Sequence, residues 1–149
     1  MNSLLLPINA SGDYLSKLAT MKKRTQLATT LGDSGTTKIL GQPGRVSKNH
    51  DIVEYIGTID ELQSVLGTLE LEALDTIQDD LYRIMSGEDV SPEWMDTTIP
   101  NQTAFVLPRG MIHVARAVCR RAERRGVTAG RDITYLNRLS DYLYKLTIE

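Results

Sequence analysis

In two runs between residues 52 and 85 the apolar side chains return every third or fourth position, a spacing that leaves little room for anything but α-helix. Ile52, Ile56, Ile59, Leu62, Leu66 and Leu69 share one helical face, with Asp51 placed to cap its start. Leu74, Ile77, Leu81, Ile84 and Met85 repeat the spacing, and Gly87 is a natural stop. A segment punctuated by Pro92 and Pro100 follows and holds the single tryptophan, Trp94. A third helix is expected from about Met111 to Arg125, with Met111, Ala115, Val118 and Ala122 on its apolar face and Gly126 and Gly130 ending it. A last helix starts near Asp132 and turns Ile133, Leu136, Leu139, Leu143 and Leu146 inward. No stretch alternates polar and apolar residues long enough to demand a sheet. The pattern predicts an all-α bundle.

The 149 residues suit one domain. Residues 1–28 show no clear face and read as a flexible N-terminal arm, ahead of a helical domain over residues 29–149. At the front of that domain, four glycines and one proline between Thr29 and Lys48 forbid a continuous helix or a central strand. Seventeen Lys and Arg against nineteen Asp and Glu give a net charge of −2, which disfavours a generic nucleic-acid binder. One cysteine, Cys119, excludes an internal disulfide and a Cys-based zinc cluster; two histidines, His50 and His113, argue against a His-rich metal centre. No apolar run reaches membrane-spanning length, and the N-terminus lacks the basic opening of a secretory signal. A soluble, cytoplasmic protein is expected.

Three polar constellations stand out on this scaffold. The first is Gly32-Asp33-Ser34-Gly35-Thr36-Thr37, followed by Lys38, Arg45 and Lys48. Glycines let backbone N–H groups converge on an anion, while hydroxyls and lysines add donors and charge. The spacing is not that of a Walker loop, and such a stretch alone also suits an ordinary surface loop. The second is the helix from His113 to Arg125, where Arg116, Arg120 and Arg124 recur every four residues, with His113 and Glu123 close by. Stacked guanidiniums call for a negative partner, either a polyphosphate or acidic side chains of another helix, unless the stripe is simply a solvated basic face. The third is Tyr135-Leu136-Asn137-Arg138-Leu139-Ser140-Asp141, which places three poor helix formers, Asn137, Ser140 and Asp141, in mid-helix.

Taken together these segments resemble the propanediol-utilisation class of ATP:cob(I)alamin (corrinoid) adenosyltransferases, from about Thr30 to Ile148. The resemblance is carried by residues 32–37, Arg-Val-Ser-Lys at 45–48, Tyr-Ile-Gly-Thr-Ile-Asp-Glu-Leu-Gln-Ser at 55–64, Phe-Val-Leu-Pro at 105–108, and the motifs at 113–124 and 135–141. It implies a five-helix bundle that assembles as a homotrimer with active sites between subunits. It also implies attack of the reduced cobalt on the 5′-carbon of ATP, with Mg²⁺ accompanying the nucleotide. The nucleophile then belongs to the corrinoid, so no catalytic Ser, Cys or His is needed. Gly32, Asp33, Gly35, Thr36, Thr37 and Lys48 match the family's ATP loop; Arg120 and Asn137 match ATP contacts, with Glu123 and Arg124 beside them in the motif. Asp60 and Arg116 match a salt bridge across the subunit interface, and Phe105 matches the aromatic that helps displace the corrinoid's lower ligand.

The sequence departs from the family at Leu31, where a polar residue is usual, and at Arg109, where a glycine is expected. The stretches around 67–74, 87–92 and 125–132 are short for the family, each at an expected loop or helix end. Two other functions use the same residues: a non-catalytic nucleotide-binding regulatory trimer, and a helical module that sets the arginines against nucleic-acid phosphates.

Overall fold

The computed structural model describes residues 30–99 and 106–149. Among them are four α-helices: α1 (Asp51–Leu66), α2 (Leu74–Met85), α3 (Met111–Thr128) and α4 (Thr134–Leu146). A 3-10 turn (Thr30–Ser34) precedes two short strands, β1 (Thr36–Thr37) and β2 (Val46–Ser47). They pair antiparallel, Thr36 opposite Ser47 and Thr37 opposite Val46. This hairpin lies in the glycine-rich front, where the sequence predicts a loop and no sheet; strands of two residues leave no alternation to read. The N-terminal arm and Phe105 lie outside the described residues.

Helix α3 packs on both α1 and α4, and α2 packs against α1. Ile59, Leu62 and Leu66 of α1, Ile77 and Leu81 of α2, Ala115, Cys119 and Ala122 of α3, and Leu136, Leu139 and Leu143 of α4 are buried and form one core. The expected periodicity therefore holds, with four local corrections. Leu69 packs on the core but stands past Gly67, the C-cap of α1. Met111 is 46% exposed, because it is the first residue of α3 and overhangs the bundle's end. The cap of α1 is His50, whose Nδ1 accepts from the Ile52 N–H at 3.1 Å; Asp51 is the first helical residue. Gly126 does not stop α3. It lies buried within the helix, where an added methyl would come to 2.7 Å from Ile133 Cγ2 and 2.9 Å from Tyr55 Cε2. The chain turns at Gly130 instead, in the left-handed conformation with φ +67°.

The segment after α2 is fixed by a buried carboxylate. Asp80 Oδ2 accepts from the Trp94 indole N–H at 3.0 Å and from the Tyr135 hydroxyl at 2.9 Å, joining α2, the Pro92 segment and α4. Trp94 also meets Tyr142 edge to face, with ring centroids 5.5 Å apart. No helix of the described residues is long and apolar enough to cross a membrane.

Candidate functional site

The loop from Gly32 to Lys48 is held by its own backbone. Gly35 N–H donates to Gly32 O at 3.1 Å, and Lys48 N–H donates to Gly35 O at 2.8 Å. Gly35 has φ +81°, a conformation that side chains rarely adopt. Arg45 grips the opposite side, donating from Nε to Thr36 Oγ1 at 2.9 Å and from Nη2 to Thr36 O at 2.8 Å. The Thr36 hydroxyl is thus committed to holding the loop, also lying 3.1 Å from Ser34 Oγ. A methyl on Gly32 would stand 3.0 Å from Lys48 Nζ, so the ammonium lies directly over that α-carbon. Among the described residues Lys48 makes no ion pair. Between the loop and α1 is an open depression of about 470 Å³, lined by Thr37, Lys48, Glu54, Gly57, Thr58 and Glu61. Thr37 and an ammonium with no ion pair among the described residues offer donors to an anion there, beside the carboxylates of Glu54 and Glu61.

A second cluster joins α3 to α4. Arg120 lies 3.2 Å from Glu123 Oε2, donates to Asn137 Oδ1 at 3.4 Å and lies 3.6 Å from Asp141 Oδ1. Arg120 and Asn137, the two matched ATP contacts, thus come together with Glu123, which stands beside them in the motif, and with Asp141. Ser140 is buried and donates to Asn137 O at 2.8 Å, so its hydroxyl serves its own helix. Asp141 supplies Arg120 with an acidic partner from another helix.

Arg116 and Arg124 line a different concavity, an open groove of about 570 Å³ shared with Arg109, His113 and Arg121. Arg116 Nε and His113 Nδ1 are buried there without a hydrogen-bond partner among the described residues. Asp60 is exposed on α1, and within the chain it makes no ion pair with Arg116 among the described residues. Nor does any hydrogen bond or ion pair among these residues link the loop to the Arg120 cluster. The Cys119 thiol is buried and donates to Leu136 O at 3.2 Å; burial pushes it well above the usual thiol range, so it is no nucleophile. Sequence reasoning missed the two ion pairs that tie α3 to α1, Arg121 to Glu61 and Arg125 to Glu54. Partners so distant along the chain leave no local signal.

A sequence model described as cobalamin adenosyltransferase matches residues 27–93 and 87–148, which takes in the loop and both arginine clusters. The chain belongs to the cobalamin adenosyltransferase family. It is 35% identical to the cobalamin adenosyltransferase of Cupriavidus metallidurans, over 82% of this chain and 86% of that one. It is 34% identical to the corrinoid adenosyltransferase of Bacillus subtilis, over 80% and 83%. Its fold is similar to that of a variant PduO-type ATP:corrinoid adenosyltransferase from Lactobacillus reuteri complexed with cobalamin and ATP. That similarity has a TM-score of 0.66 at 27% identity and covers 81% of this chain and 91% of the other. The Cupriavidus alignment runs over 159 positions, more than the whole chain has, so that family member carries residues this one lacks. The two stretches matched by the family overlap at 87–93, one of the places where this sequence is short.

Proposed function

We propose that this chain transfers the 5′-deoxyadenosyl group of ATP to the cobalt of cob(I)alamin, in a homotrimer whose active sites lie between subunits. The cobalt–carbon bond forms at C5′ as the bond from C5′ to the triphosphate oxygen breaks, and triphosphate leaves with the electron pair. One observation carries this reading: the loop of a corrinoid adenosyltransferase-family chain holds Lys48, unpaired among the described residues, directly over Gly32. The loop N–H groups and Lys48 bind the phosphates, and Thr37 faces the same depression. Arg120, oriented by Glu123 and Asn137, approaches the leaving group from a neighbouring subunit and stabilises its growing charge. Arg124 adds positive charge on the same helix. The protein's remaining work is alignment of two large substrates.

Two further features support sites shared between subunits. Among the described residues no hydrogen bond or ion pair joins the loop to the Arg120 cluster, and the buried Arg116 Nε has no acceptor there, which Asp60 of a neighbour would supply. Among the described residues no three His, Cys, Asp or Glu side chains are grouped as a metal cage. Mg²⁺ would be carried on the triphosphate, which lends it most of its non-water ligands. Phe105 takes the role of the aromatic that helps displace the corrinoid's lower ligand, by its place in the motif.

Incubation with ATP, Mg²⁺ and chemically reduced cobalamin tests the activity, followed by the corrinoid spectrum and by released triphosphate. Conversion to adenosylcobalamin with one triphosphate per turnover is the expected result. ATP binding without conversion would favour the regulatory alternative.

A further inference from the structure

The depression beneath the loop has a charge problem. Lys48 is the only cation among its lining side chains, while Glu54 and Glu61 are carboxylates about two turns apart on α1. Left bare, they would repel any polyphosphate that Lys48 attracts. Neither is bare. Arg121 of α3 is hydrogen-bonded and ion-paired to Glu61 Oε1, and Arg125 Nε lies 3.9 Å from Glu54 Oε2. The later arginine reaches the earlier glutamate, so the two pairs form rungs across antiparallel helices. Both arginines stand off the stripe of Arg116, Arg120 and Arg124. Arg121 also lines the arginine groove, so its pairing with Glu61 forms the partition between the two concavities.

We propose that Arg121 and Arg125 are positioning residues of the nucleotide site, holding and neutralising Glu61 and Glu54 so that the triphosphate of ATP meets a net positive cradle; this role rests on the loop being the ATP site. With both arginines present, the two pairs cancel and Lys48 leaves the lining with one uncompensated positive charge. Removing one arginine makes the lining neutral, and removing both makes it negative. Neither guanidinium touches the nucleotide; each acts through its glutamate.

The test is equilibrium binding of ATP with Mg²⁺ to the full chain, at low and high ionic strength, for the wild type, Arg121→Gln, Arg121→Lys and the double variant Arg121→Gln with Glu61→Gln. Arg121→Gln weakens ATP roughly fivefold at low salt, about what a half-exposed charge contributes. The deficit shrinks as salt rises, because exposed charges are screened. Arg121→Lys keeps most of the affinity. The double variant returns to wild-type affinity although its rung is gone, which a purely structural rung would not do. Thermal unfolding in parallel identifies a variant that fails to fold; the pair Arg125→Gln and Glu54→Gln then gives the same readout. Equal affinity of Arg121→Gln and wild type overturns the proposal, as does a double variant no tighter than the single. A wild type that binds no ATP overturns the loop assignment itself, and is recognised before any variant is compared.

Discussion

Arg120 is itself partly exposed and meets Asn137 and Asp141 near the surface, where ion pairs contribute about 1 kcal/mol or less, but its third partner, Glu123, is buried. Arg120→Ala leaves that carboxylate without its cation and is therefore expected to lower the unfolding temperature. It should lower kcat/KM for ATP roughly tenfold to a hundredfold, since a charge-assisted bond to a phosphate contributes about 1.5–3 kcal/mol. Thermal unfolding beside the cob(I)alamin assay checks both halves. A large loss of stability with unchanged turnover would assign Arg120 to the scaffold. The loop residues were legible because their contacts span fewer than twenty positions, from Gly32 to Lys48. Glycines, hydroxyls and lysines so close together also suit an ordinary surface loop, and the resemblance to a family singled them out. The approach of Arg120 to Asn137 crosses a helix–helix junction and was reached only through the resemblance to a family.

At the scale of elements, two helical glycines predict opposite outcomes for one substitution. In Gly126→Ala the methyl meets Ile133 and Tyr55 well inside contact distance. Overpacking costs about 1–3 kcal/mol and the helix gains about 1 kcal/mol, so a net loss is expected. At Gly57 nothing lies within 4 Å of an added methyl, so Gly57→Ala should stabilise α1 by up to about 1 kcal/mol. That methyl would enter the depression beneath the loop, so ATP affinity should fall while stability rises. Denaturant unfolding and ATP titration of the two variants separate these effects. The helices themselves were legible from spacing, because a buried stripe must recur every three or four residues. Their ends were less so. Gly126 reads locally as a stop, but close packing against Tyr55 keeps it helical. Asp51 reads as a cap, but His50 one residue earlier presents the acceptor. The pairing of Arg121 with Glu61, 60 positions apart, has no signature in either segment.

For the whole molecule, the buried hydroxyls set a limit on alkaline stability. Burial raises Tyr55 to about 12, and burial beside Asp80 raises Tyr135 well beyond the usual phenol range. A group whose folded pKa is raised stabilises the fold fully below its unfolded pKa. That contribution is lost as pH rises from about 10, the ordinary phenol value, through the folded value. Stability should thus decline above about pH 10, with phenolate absorbance and loss of helix appearing together; phenolate formation in the intact fold would contradict this. The assembly carries the larger claim, that one active site draws its loop and its arginine from two copies of the chain. The direct measurement co-expresses Lys48→Ala and Arg120→Ala chains bearing different tags, purifies the mixed oligomers and assays adenosyl transfer. Each variant alone should be nearly inactive, while every mixed trimer should regain one intact site, with loop and arginine supplied by different chains. Mixed oligomers as inactive as their parents would contradict the shared site.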